Sequence, residues 1–271
     1  MSYQLVVKQV TSALLLSGVV LWLSGSTARA AAIYSGGHGD LGVEYDPGED
    51  PHAFHVHVHV HAGSIVDGAP LADDEEFDGG DVSVLVPASA NIGRTSGTLM
   101  GSFEPFDYTT AAFDFLGTAP GERMWLLPFD SADASFYGTP FLGIAAEEIG
   151  SPSQWVGAIT FKMTGFTGPG EVSVFTGAGT RRWDTADGSF ANDSLNIGAG
   201  GHGHFNWAFT APGIYEVQVE VSGTNSIHGA VSGSGLLMFQ VVPEPSSLLL
   251  LVLGGASLVW RGRRRWMGHH A

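Results

Sequence analysis

Cysteine is absent from the 271 residues, so no disulfide framework, thiolate metal site or cysteine nucleophile is available. Charge is scarce too, at 14% of residues, and positive charge is scarcest. Residues 31–242 hold five basic side chains, Arg94, Arg123, Lys162, Arg181 and Arg182, against 26 acidic ones, a formal charge of −21 with histidines neutral. Such a surface repels nucleic acid and anionic lipid headgroups and attracts cations. The sequence also lacks H-E-x-x-H, G-x-S-x-G and a P-loop, which removes the familiar signatures of zinc proteases, serine hydrolases and NTPases. The expectation is therefore a protein that is not an enzyme, although three histidines and a water could in principle hydrolyse a bond.

Long apolar runs occur only at the two ends. Residues 1–30 carry Lys8, an apolar run from Ala13 to Leu23, and a small-residue end at Ala28-Arg29-Ala30, the layout of a secretory signal cleaved after Ala30. At the other end Val242-Pro243-Glu244-Pro245 leads into the Leu-rich run Ser246 to Trp260, and then Arg261, Arg263, Arg264 and Arg265. The run is long enough for a slightly short span, and the arginines prefer the cytoplasmic side, which places the preceding domain across the membrane. Pro-Glu-Pro, a span and a basic cluster in that order resemble the PEP-CTERM sorting tail. That resemblance implies an exosortase-type processing enzyme as partner and a location in the cell envelope or on the surface of a Gram-negative-type bacterium. The C-terminal helix would anchor the protein in the inner membrane only transiently. An ordinary single-span anchor is the alternative. The organisation expected is signal, 1–30; surface domain, 31–242; sorting tail, 243–271.

Between the ends, 39 glycines and 13 prolines suit short strands and turns better than long helices. Ala53 to Ala62 alternates strictly, as do Tyr215, Val217, Val219 and Val221 against Glu216, Gln218 and Glu220. Val82 to Val86, Gln154 to Met163, Glu171 to Phe175, Phe205 to Phe209 and Leu236 to Val242 read as further strands. Ile33 to Gly48 is Gly-rich and acidic, Leu71 to Asp81 reads as an acidic loop, and Glu147 and Glu148 fit a short helical turn. The fold class expected is all-β, an antiparallel β-sandwich of Ig-like type.

Histidine carries the chemistry. His55, His57, His59 and His61 alternate with Phe54, Val56, Val58 and Val60, which on a strand makes one apolar face and one row of imidazoles. His202 and His204 form a second pair, and His38 lies in Gly36-Gly37-His38-Gly39-Asp40. Imidazole with carboxylate and no sulfur suits Zn²⁺, with Cu²⁺ and Ni²⁺ as competitors. A row four long cannot ligate one ion together, so the expectation is a site shared between His55/His57 and His202/His204. His38 would be an extra ligand, and His59 and His61 a relay or a weaker second site. A solvated histidine face is the bland alternative. The acidic stretches Asp73 to Asp81 and Asp184 to Gly188 lack the EF-hand order of ligands and read as solvated loops.

Several stretches are similar to the bacterial choice-of-anchor M domain, also found as a repeat in actinobacterial surface-anchored proteins. They are Gly37-His38-Gly39-Asp40-Leu41-Gly42, the segment from Phe141 to Ile149, Trp183-Asp184-Thr185-Ala186-Asp187-Gly188, and the segment from Gly201 to Tyr215 with His202, His204, Asn206 and Trp207. The family's histidines fall on His38, His55, His57, His202 and His204, and this chain departs by extending the row to His61. A subgroup with PEP-CTERM tails is associated with zinc-responsive repression. The resemblance implies zinc binding under zinc shortage, with zinc-uptake machinery as a partner. A structural or adhesive surface module is the competing expectation. The export reading predicts a mature protein that has lost residues up to about Ala30 and the tail from near Pro243. Intact-mass measurement checks both cuts, and a mature protein that retains Leu248 to Trp260 would refute tail processing.

Overall fold

The computed structural model describes residues 31–48 and 53–243. The expected signal and the sorting tail beyond Pro243 lie outside the described residues. No helix among those described is long and apolar enough to cross a membrane. In chain order the elements are β1 (Ala32–Tyr45), β2 (Phe54–Val60), β3 (Ile65–Val66), β4 (Ala69–Pro70), β5 (Glu75–Asp78), β6 (Val82–Val86), β7 (Ser96–Thr98), β8 (Pro105–Asp107) and β9 (Trp125–Leu127). One short helix, α1 (Ser131–Tyr137), precedes β10 (Pro140–Ala145), β11 (Ala158–Thr167), β12 (Val172–Phe175), β13 (Arg181–Asp184), β14 (Ser194–Gly198), β15 (His202–His204), β16 (Asn206–Phe209), β17 (Gly213–Asn225) and β18 (Gly229–Val241). Asp130 caps α1 by accepting from the amides of Ala132 and Asp133.

The protein is mostly β, as expected, but the main sheet is mixed rather than antiparallel. Twelve strands join in it, with a path β14-β11-β17-β18-β6-β1-β10-β15 and with β2, β3, β4 and β5 attached off that path. Strand β1 runs parallel to both β6 and β10, and β18 runs parallel to β6. Alternation reports which face of a strand is buried but not which strand lies beside it, so the long returns that allow parallel pairing were invisible in the sequence. Two smaller antiparallel sheets, β13-β12-β16-β9 and β7-β8, complete the architecture. The pairing makes no closed barrel, and it does not show an Ig-like sandwich.

The Gly-rich opening segment, unassigned in the sequence, is the strand on which the sheet turns. Its first residues pair with β6, and from Gly37 onward it pairs with β10 and β2. The change of ladder coincides with a register shift against β3 between Tyr34 and Gly36. Gly37 has φ of +87°, a conformation that costs glycine little and other residues more. Contrary to the expectation that a G-x-G-x-x-G dinucleotide fingerprint is absent from the sequence, Gly37-x-Gly39-x-x-Gly42 has its spacing. It lies inside β1, with no helix opening after it, so the phosphate-cradling geometry is missing.

The apolar residues of β2, Phe54, Val56, Val58 and Val60, are buried, and β2 crosses β18 where Gly233 and Gly235 leave room for Phe54 and Val56. Tyr215, Val217, Val219 and Val221 of β17 are fully buried. The four-stranded sheet closes on this core through Phe239, whose ring centroid lies 5.4 Å from Trp207 and 4.8 Å from Phe209. A smaller core forms from Leu99, Tyr108, Leu116, Met124, Leu126, Phe175 and Ala208. Phe239→Ala should lower unfolding stability by about 3–5 kcal/mol, the usual cost of removing a buried phenyl group. Urea denaturation checks this, and a loss under about 1 kcal/mol would mean that the two sheets do not share this core.

Candidate metal centre

Five strands in the order β5-β2-β1-β10-β15 carry the histidines. Their register aligns one polar row across the sheet. Glu76 pairs with His59, His59 with Asp40, Asp40 with Gly143, and Gly143 with His204. Residues directly opposite one another project to the same face, so a row of partners becomes a row of neighbouring side chains. The acidic segment expected to be a loop supplies β5, and it brings Asp74, Glu76 and Asp78 beside the histidines of β2. Glu147 and Glu148 follow β10 without forming a helical turn, and Glu148 bridges to Glu44.

Asp40 is the centre of the inner group. It is 2% exposed, and His38 Nε2 and His61 Nε2 each lie 3.3 Å from its Oδ2. The His38 and His61 rings stack, with centroids 4.3 Å apart and 9° between planes. The ring of His204 lies 5.0 Å from that of His38 and stacks on Phe141 at 3.7 Å. Asp40 Oδ1 and His204 Nδ1 have no hydrogen-bond partner among the described residues. Both border the space above Gly143, where a Cβ would overlap Asp40 Oδ1 and stand 3.1 Å from His204 Nδ1. An aligned buried carboxylate and imidazoles with a gap between them fit a bound divalent ion. The 3.3 Å separations equal the ligand–ligand edge of about 3.3 Å in a tetrahedron with Zn–N or Zn–O bonds of about 2.0–2.1 Å.

Glu148 organises the next histidines. Its Oε2 lies 2.8 Å from His57 Nε2 and its Oε1 2.6 Å from His59 Nδ1, the latter off the line of an ideal hydrogen bond. Hydrogen bonding from His57 holds the Glu148 carboxyl below its ordinary value. The His57 side chain is fully buried, and it fits because Gly42 has no Cβ, which would stand 2.8 Å from His57 Nε2. Beyond it, His59 Nε2 lies 3.4 Å and His61 Nδ1 3.7 Å from Asp74 Oδ2, while Asp74 Oδ1 accepts from the Ala62 amide. That backbone bond is the main reason the Asp74 carboxyl is lowered. Four sets of side chains place their ligand atoms within 4.8 Å of one another: His38/Asp40/His61, His59/His61/Asp74, His57/His59/Glu76/Glu148 and Glu44/His55/Glu76.

The arrangement differs from a site shared by the two histidine pairs. Strands β1 and β10 separate β2 from β15, so His57 and His202 stand three strand spacings apart, about 14 Å. The neighbours of His202 and His204 are His38 and Asp40 instead, with His202 Nδ1 2.7 Å from Glu147 Oε1. His61, expected to be spare, belongs to the inner group. His55 sits at the far end of the row with Asp78 at 2.7 Å and Glu44 at 3.7 Å. Hydrogen bonding to Asp78 raises its pKa. The acidic members, Asp40, Asp74, Glu76 and Glu148, were missed. The Gly-His-Gly-Asp spacing, which sets Asp40 on the same face as His38, was the available signal.

A family model described as the PEP-CTERM protein-sorting motif matches residues 241–265. The chain therefore carries the tail of an exported, cell-surface-sorted protein, and the motif implies processing by an exosortase. The match covers the tail and assigns no family to the domain that bears the histidines. No curated protein and no solved structure matches the chain.

Burial pushes His204 down to about 4, against the pull of Asp40, and the His38 and His202 rings add to the lowering. The unfolded chain takes up this proton near the ordinary value of about 6.5. Between the two values the unfolded state binds more protons, so stability is lost as pH falls through that window. The urea midpoint of the metal-free protein should drop from about pH 7 to about pH 4.5, and His204→Gln should shrink that drop. An unchanged slope would assign the loss to other groups.

Proposed function

We propose that this is a zinc-binding envelope protein, not an enzyme, that captures scarce Zn²⁺ or presents it to uptake machinery. One observation carries the reading. A buried carboxylate, Asp40, has two imidazole nitrogens 3.3 Å from its Oδ2, and its Oδ1, unpartnered among the described residues, borders the space above Gly143 that His204 Nδ1 also borders. His38, Asp40, His61 and His204 would hold the ion, with His202 at the margin. His55, His57 and His59 extend the face. The net charge of the domain, residues 31–242, concentrates cations around it. The resemblance of several stretches to choice-of-anchor M domains, a PEP-CTERM subgroup of which is associated with zinc-responsive repression, supports the same reading. Partial exposure favours an exchangeable ion over a purely structural one, since Asp74 beside the site is 53% exposed and His61 32%.

Zinc titration of the metal-free protein tests this. Binding should be tighter than about 10 µM, and Asp40→Asn should weaken it by about tenfold or more. Zinc should be released as pH falls, because protons compete with the ion for the ligating imidazoles; burial lowers the pKa of His38 and takes His204 to about 4, so these two compete less for protons than an ordinary histidine. A protein that binds zinc no better than about 10 µM would sink the reading.

A further inference from the structure

His61 faces two acidic partners with two different ring atoms. Its Nε2 lies 3.3 Å from Asp40 Oδ2, inside the inner group, and its Nδ1 lies 3.7 Å from Asp74 Oδ2, on the outer side. The outer group has a second imidazole ready, His59, whose Nε2 is 3.4 Å from the same Asp74 oxygen. His59 Nε2 and Asp74 Oδ2 are hydrogen-bond partners, and a carboxylate only accepts, so in the metal-free pair the imidazole proton lies on Nε2. Glu148 Oε1 lies 2.6 Å from His59 Nδ1, a carboxylate at the far side of the ring that would take up the proton once Nε2 bonds an ion.

We propose that His59, His61 and Asp74 form an outer metal position, and that His61 hands the ion from there to the inner position at His38, Asp40 and His204. This rests on the zinc-binding reading above. A neutral imidazole has one lone pair, so His61 can serve only one of the two positions at a time. With the ion outside, Nδ1 bonds it and Nε2 carries the proton beside Asp40. With the ion inside, Nε2 bonds it, and the proton returns through solvent to Nδ1 beside Asp74. The ring need not turn, because its two nitrogens already face the two positions. Exposure grades the same way: Asp74 is 53% exposed, His61 32% and Asp40 2%. The outer position therefore meets ions from solvent, and the inner one retains them.

A step on the path of arrival changes rates in both directions and leaves the equilibrium nearly alone. The test is stopped-flow binding and competitive release of Co²⁺ and Zn²⁺ on the full chain with His269 and His270 replaced by alanine, which removes tail ligands. Asp74→Asn keeps the oxygen that accepts from Ala62 and removes the outer carboxylate. It should slow both association and release by about tenfold with Kd within about twofold of the parent. Asp73→Asn removes an equal charge from the exposed neighbouring residue and should leave association within about twofold, which separates hand-off from general attraction. Equal association rates for the two variants would overturn the hand-off while leaving zinc binding intact. Two cobalt ions held together per chain, both lost in His61→Ala, would overturn it in favour of a bridging imidazolate. A parent that binds no zinc below about 10 µM would instead refute the reading on which the proposal rests.

Discussion

A carboxylate almost wholly withdrawn from water needs compensation, because burying an unpaired charge costs several kcal/mol even after relaxation. At Asp40 the groups provided are imidazoles, which compensate the charge by donating an N–H, as His61 Nε2 is placed to do to Oδ2, by carrying a proton, or by sharing a cation with it. Burial works against protonation of His38 and His204. A divalent ion, as proposed above, would neutralise the carboxylate and bond neutral nitrogen. The rest of the face follows from placing this residue. β1 carries Asp40 between β2 and β10, and Gly42 and Gly143 clear the space that the neighbouring rings occupy.

The precision of the centre comes from the other side of the same strands. Phe54, Val56, Val58 and Val60 anchor β2 in the core, and Leu41, Val43, Leu142 and Ile144 do the same for β1 and β10. Packing at near-crystalline density leaves little freedom to the backbone, so the strands that carry the rings on the opposite face keep their spacing. The carboxylates then divide the histidines into working groups. Glu148 lies against His57 and His59, Asp78 and Glu44 lie against His55, and Asp40 and Asp74 address opposite edges of His61. One stripe of like residues thus becomes several chemically different positions, set by acids that lie far away in sequence.

The export logic sits outside this domain and is independent of it. A sorting tail delivers whatever precedes it, so the tail fixes location and says nothing of chemistry. The absence of cysteine is compatible with an oxidising compartment, and it leaves histidine and carboxylate as the only strong ligands for a transition metal.

The sequence by itself determined the β character, the two faces of β2 and β17, the histidine residue types, and the tail. Each of these is local: period-two alternation, ligand chemistry and a contiguous motif need no knowledge of neighbours. It did not reveal that the Gly-rich segment is the 14-residue strand β1, since glycine weakens the alternating signal where backbone must bend or approach closely. Nor did it reveal that Leu71 to Asp81 contributes β5, because an acidic strand at an exposed edge has the composition of a loop. The partners of the histidines were decided by tertiary structure alone. Parallel pairing of β1 with β10 set His204 near Asp40, and the order β2-β1-β10-β15 kept His57 from His202. Strand order and direction depend on which long connections close over a common core, and that is a property of the whole chain rather than of any segment in it.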